Sequence, residues 1–207
     1  MDFKQALLTL LVLLVAVNPA MTSAAPETWQ RPNILLIVAD DLAYADLGSF
    51  GSDIATPNID ALASQGMLFT QFHTGVMCAP TRAMLFSGNN NHVAGMARQS
   101  VSGILGDPHP GYENHLSDRI IPFPRLLLEA GYHTYMAGKW HLGNTPEHSP
   151  RAAGFEYSFS ILAGAGNHWD AIGFKEGGST YRENGEITEW PQSRYSTDLY
   201  TERLIEF

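Results

Sequence analysis

The run Asn33-Ile34-Leu35-Leu36-Ile37-Val38-Ala39 is almost wholly apolar and ends abruptly on Asp40-Asp41. A half-exposed strand alternates apolar and polar residues, and an amphipathic helix repeats every three or four. A short continuous apolar run is what a strand buried on both faces requires, and such strands belong to parallel sheets covered by helices. The segments that follow keep to that plan. Thr56-Pro57 predicts a helix start, with Thr56 as N-cap, Pro57 in the first turn, Ile59, Leu62 and Ala63 on one side, and Gly66 as the stop. Met67 to His73 reads as a strand, and Pro80 to Phe86 as a helix beginning just after Cys78. Phe123 to Ala130 reads as a helix closed by Gly131, and Tyr132 to Lys139 as a returning strand. Alternation of this kind predicts an α/β layered fold. Gln99 to Asp118 holds no clear period and predicts a long surface excursion. Residues 144 to 191 are rich in Gly, Pro and aromatics and yield no assignment. Ser196 to Phe207 is amphipathic, with a Ser/Thr cap, Asp198 in the first turn and Leu199, Leu204 and Ile205 on the apolar side. No glycine or proline closes it, so the helix is expected to be cut at Phe207.

Composition narrows the functional classes. A chain of 207 residues, 44% hydrophobic and 16% charged, suits one α/β domain or part of a larger one. Twelve basic against 21 acidic side chains give a net charge of −9, which argues against nucleic acid as a partner. A single cysteine rules out an internal disulfide and a zinc-type Cys spacing. At the N-terminus, Lys4 precedes an apolar run from Ala6 to Val17 that Asn18-Pro19 ends, and small residues follow at Thr22-Ser23-Ala24-Ala25. That is the pattern of a cleaved secretory signal over residues 1–24. As a helix the run reaches only ~18 Å, against a hydrocarbon core of ~30 Å, so it does not suit a membrane anchor. No later segment is long and apolar enough to span a bilayer. The chain is therefore expected to be exported, to a periplasmic, extracellular or lumenal space, without stable membrane insertion.

Three stretches carry chemistry. Asp40 and Asp41 follow the apolar strand, where open α/β sheets place ligands. Adjacent carboxylates repel, and a hard cation such as Ca²⁺ or Mg²⁺ between them would relieve the repulsion. Alone, the pair reads more simply as a solvated turn, with Asp46 as a third exposed carboxylate. In Cys78-Ala79-Pro80-Thr81-Arg82, Pro80 sets residue 78 at a helix N-terminus, beside unpaired N–H groups that favour an anion. Arg82, one turn on, brings a planar cation to the same face. A small buried apolar cysteine is the plain alternative. In Gly138-Lys139-Trp140-His141-Leu142-Gly143, Lys139 and His141 lie two apart on a strand, so both point to one side. An exposed lysine and a hydrogen-bonded histidine at a strand edge would account for them singly.

Together these stretches, with Arg31-Pro32-Asn33 and Thr56-Pro57-Asn58-Ile59-Asp60, resemble the N-terminal half of a type I sulfatase, in order and position. The resemblance covers residues 31 to 160 closely and fades afterwards. It implies an alkaline-phosphatase-like layered fold with a mostly parallel central sheet, truncated at the C-terminus, residues 31–207 being the N-terminal part of a catalytic domain. It implies hydrolysis of aryl, steroid or carbohydrate sulfate esters by formylglycine, made from Cys78 by a formylglycine-generating enzyme. In that family pattern Asp40, Asp41 and residue 78 hold Ca²⁺ or Mg²⁺. Arg82 orients the hydrate, Lys139 binds sulfate, and His141 hydrogen-bonds or deprotonates the spare hydroxyl. A phosphonate or phosphate monoester hydrolase of the same superfamily, or an inactive truncated product, are the alternatives. Such sulfatases are longer and add an Asp-Asn pair, a His and a Lys downstream. None of these is assignable here. His168 is not counted among them, and the remaining histidines are read as structural or exposed. Two aspartates and residue 78 supply too few donors for an ion that takes roughly six to eight, so this chain alone is expected to lack activity and to aggregate.

Overall fold

The computed structural model describes residues 31–99, 109–173, 179–191 and 193–207. The signal segment over residues 1–24 and the middle of the excursion after Gln99 lie outside them. Residues 31–39 belong to one unit, Met1–Ala39, and Asp40–Phe207 forms the other.

Within the second unit the elements alternate as the apolar pattern requires. Helix α1 is Pro57–Gln65, α2 is Cys78–Ser87, α3 is Phe123–Glu129 and α4 is Ser196–Glu206. Strands β1 (Tyr135–Lys139), β2 (Tyr157–Ile161), β3 (Tyr181–Glu183) and β4 (Glu186–Thr188) form one sheet in that order. β1 and β2 are parallel, with Tyr135 opposite Tyr157 and Lys139 opposite Ile161. β3 and β4 add antiparallel neighbours, so the sheet is mixed. The β3–β4 hairpin turns on Asn184 and Gly185, whose φ angles of 52° and 93° are the left-handed pair a tight primed turn demands.

Each face of the sheet carries its own apolar layer. Met136 joins Ala79, Ala83 and Phe86 of α2, Trp140, Leu142, Phe155 and Leu162 in one cluster, with Phe123 of α3 packed against it. On the other face, Phe159 and Ile161 of β2 meet Tyr181, Trp190 and Leu199 of α4, with Tyr200 and Phe207 alongside. Helices on both faces of a sheet define the α/β class. No helix among the described residues is long and apolar enough to cross a membrane.

Several expectations are corrected. Residues 33–39 carry no strand, and Leu35 and Ile37 are about three-quarters exposed, at 76% and 77%. Met67 to His73 is likewise irregular and open to solvent. An extended apolar segment becomes a strand only when a neighbour takes its N–H and C=O groups, and the sheet among the described residues is built from β1 to β4 alone. Thr56 does not cap α1. Its hydroxyl donates to Asp60 Oδ1 at 3.0 Å and accepts from the Gly48 amide at 2.9 Å, tying down the loop that precedes the helix. Cys78 is the first residue of α2 rather than its neighbour. β1 begins at Tyr135 rather than Tyr132. In α4, Tyr195 holds the N-cap position with no side-chain capping bond, while Leu199 is buried and Ile205 is exposed.

Candidate active site

The start of α2 and the end of β1 bring the motif residues together. α2 leaves an extended residue, Met77, and opens on Cys78, so the thiol stands at the end of the helix where N–H groups lack helical partners. Its Sγ lies 3.4 Å from His141 Nδ1 and donates to Gln99 Oε1 at 3.2 Å.

Arg82, one turn along α2, is buried. Its Nε donates to the Trp140 carbonyl at 2.8 Å, and its terminal nitrogen donates to the Lys139 carbonyl. The guanidinium thus braces the backbone where β1 ends, joining the Cys78 and Lys139–His141 stretches. Burial lowers its pKa from the ordinary value, opposed by the charges of Asp40 and Cys78. A guanidinium titrates so high that it stays charged regardless.

Strand alternation does not aim His141. β1 ends at Lys139, and His141 has a left-handed φ of 59°, which turns the imidazole toward Cys78. His141 is only 5% exposed. Burial first, then the nearby cations Lys139 and Arg82, push its pKa down from 6.5 to about 4 against the opposing charge of Asp40. At neutral pH the ring is uncharged and keeps a nitrogen lone pair for a proton or hydrogen bond. Gly164 lies over the same ring. A Cβ there would stand 2.4 Å from His141 Cε1 and 2.5 Å from Nε2, so only glycine fits this approach.

Lys139 Nζ pairs with Asp40 Oδ2 at 2.7 Å. Asp41 adopts a left-handed φ of 56°, a conformation Asp tolerates. Asp46 is engaged locally, accepting from the Ala43 amide at 2.8 Å. Among the described residues no three His, Cys, Asp or Glu side chains converge as a metal cage would need. Asp40 and Asp41 are the right chemistry for Ca²⁺ or Mg²⁺ but too few, so these residues do not fit either ion as a complete site.

Two residues at the site carry no motif signal. Gln99 lies 21 positions beyond Cys78 in an aperiodic stretch, and nothing in the sequence points to it. Gly164 sits in the small-residue run Ala163-Gly164-Ala165-Gly166, a composition that favours close approach of chain to side chain.

The sulfatase family model matches residues 32–207. Arylsulfatase of Klebsiella aerogenes is 41% identical over 180 residues, covering 84% of this chain and 38% of that protein. An uncharacterized sulfatase of Schizosaccharomyces pombe is 42% identical over 191 residues, covering 86% of this chain and 34% of that protein. Among solved structures, Ps i-CgsB aligns with a TM-score of 0.71 and 34% identity over 86% of this chain and 41% of its own. A structure of Ps i-CgsB in complex with k-i-k-neocarrahexaose aligns with a TM-score of 0.66 and 30% identity, over the same shares of both chains. The chain spans between 34% and 38% of the length of the two curated relatives named here.

Proposed function

The chain belongs to the sulfatase family, and we propose that it carries the nucleophile side of a site that hydrolyses sulfate esters. The observation that carries this reading is the thiol of Cys78, at the N-terminus of α2 and 3.4 Å from an imidazole that is neutral at pH 7. In this reading a formylglycine-generating enzyme oxidises Cys78 with dioxygen to formylglycine. One hydroxyl oxygen of its hydrate would bond to sulfur as the ester's alcohol oxygen leaves. The second hydroxyl would give up its proton so that the aldehyde re-forms as sulfate departs.

The other residues act on what that group presents. His141 accepts a hydrogen bond or proton from a hydroxyl of residue 78. Lys139 already faces an anionic oxygen, that of Asp40 at 2.7 Å, and in this reading offers its ammonium to a sulfate oxygen. Arg82 fixes both, because it holds the carbonyls of Lys139 and Trp140, and its charge favours an anion beside residue 78. Local cations are needed, since a net charge of −9 repels an anionic ester. Ca²⁺ or Mg²⁺ enters the same proposal as an ion that Asp40, Asp41 and residue 78 would share with donors outside this set. The substrate class we favour is a carbohydrate sulfate, on the ground that a related structure holds an oligosaccharide. Export, directed by residues 1–24, belongs to the proposal as well.

Expression with a formylglycine-generating enzyme, then side-by-side turnover of an aryl sulfate and an aryl phosphonate with added Ca²⁺, tests it. Faster sulfate turnover supports the reading, and a preference for phosphonate transfers the site to phosphonate or phosphate monoester hydrolysis. Turnover of neither by protein converted at residue 78 would mean that the nucleophile is present in an incomplete, inactive site.

A further inference from the structure

Residue 78 has a second neighbour that the mechanism above does not use. Gln99 comes from the loop beyond α2, is half-buried, and accepts a hydrogen bond from Cys78 Sγ at 3.2 Å. His141 Nδ1 stands 3.4 Å from the same sulfur. A thiol has one proton to donate, so it serves one of these acceptors at a time. A carbon bearing two hydroxyls has two protons to donate, and the site offers an acceptor for each.

The geometry points to Gln99 as a further catalytic residue, an uncharged acceptor that holds one hydroxyl of residue 78 while His141 holds the other. This rests on the sulfatase reading for the two-hydroxyl form, whereas the contact with the thiol does not. The two acceptors divide the work by their chemistry. An amide carbonyl is too weak a base to take a proton, so Gln99 orients the hydroxyl it holds and is not itself the group that removes its proton. The imidazole nitrogen is a better base than an amide carbonyl, so of the two acceptors His141 is the one that can take up a proton as its hydroxyl loses one. Hydration itself is balanced: the oxygen of water bonds to the aldehyde carbon, and a proton passes to the former carbonyl oxygen. The aldehyde has no O–H to offer either acceptor, so a hydrogen bond from the hydrate to Gln99 pulls the aldehyde–hydrate balance toward the hydrate. A residue that merely filled space would leave that balance alone.

Cys78 is the only cysteine in the chain, so a single S–H infrared band, and a single carbon-13 label on cysteine Cβ, report on it alone. Gln99→Met keeps length and loses the acceptor, and Gln99→Glu keeps an acceptor. In unconverted protein, Gln99→Met is expected to move the S–H band to higher wavenumber, while Gln99→Glu, a stronger acceptor, keeps it at or below the wild-type position. In converted protein, Gln99→Met is expected to raise the aldehyde-to-hydrate ratio by about 3- to 10-fold, the value of one net hydrogen bond, and Gln99→Glu to restore it. An S–H band unmoved in Gln99→Met overturns the contact, and an unchanged ratio overturns the catalytic role. Wild-type protein that never shows aldehyde or hydrate signals refutes the sulfatase reading and with it the hydroxyl-holding role. The S–H band still decides the contact.

Discussion

Replacing Gly164 with alanine tests how tightly the site is built. The added Cβ would stand 2.4 Å from His141 Cε1, where ordinary carbon contacts begin near 3.4 Å, so ring and backbone must part by about 1 Å. The ring cannot yield freely, because His141 is 5% exposed and its Nδ1 edge meets Cys78 Sγ at 3.4 Å. Overpacking of this kind costs about 1–3 kcal/mol. For a chain of this size that lowers Tm by roughly 2–12 °C. In a full-length version that turns over an aryl sulfate, displacing Nδ1 by a comparable distance from residue 78 should also cost on the order of 10²-fold in rate, since catalytic geometry tolerates about that little. The assay pairs thermal unfolding with the His141 ring signals in a carbon–proton NMR spectrum. Both should shift in Gly164→Ala, and the ring signals should shift further in Gly164→Val. A Gly164→Ala protein with wild-type Tm and unmoved His141 signals would show that the loop carrying Gly164 does not hold the ring.

Arg82→Lys keeps the charge but loses the fork that spans two carbonyls. It should cost about 2 kcal/mol or more, read as a Tm lowered by roughly 4–8 °C, and a wild-type Tm would contradict the bracing role. In a full-length version that turns over an aryl sulfate, Lys139→Ala should lower kcat/KM by about 10²-fold, and near-wild-type turnover would remove Lys139 from the anion site. His148 stacks on His115 with ring centroids 3.5 Å apart. Burial first, then the neighbouring His115, lowers its pKa, against Asp118 and Glu147. A histidine whose folded pKa is depressed binds its proton more readily unfolded. Its contribution to stability is therefore complete above the ordinary value of about 6.5 and is lost as pH falls below it. Wild-type Tm should drop more than that of His148→Phe between about pH 7.5 and pH 5.5, and equal slopes would refute the assignment.

What the sequence revealed and what it hid divide along physical lines. Residues that announce themselves through local chemistry were legible: Pro57 and Gly66 bounded α1, and the motif spacing brought Cys78, Arg82, Lys139 and His141 together. The apolar run at residues 33–39 announced a buried strand, but pairing depends on a partner edge, and apolarity alone does not provide one. Strand periodicity placed Lys139 and His141 on one side, yet the left-handed backbone at residue 141 is what aims the imidazole. Gln99 was invisible because its role arises from a contact 21 positions away in a stretch without period. The Asn184-Gly185 hairpin was legible in principle, being the strongest short hairpin signal, but the aromatic and glycine-rich composition around it obscured the flanking alternation.

The central claim, that Cys78 is the precursor of the nucleophile rather than a buried thiol, has a direct test. Protein co-expressed with a formylglycine-generating enzyme would be digested, and the peptide spanning residue 78 weighed by mass spectrometry. The account predicts the aldehyde or its hydrate at that position, and turnover that disappears in Cys78→Ala because no side-chain nucleophile remains. Active protein carrying only the unmodified thiol at residue 78 would contradict it.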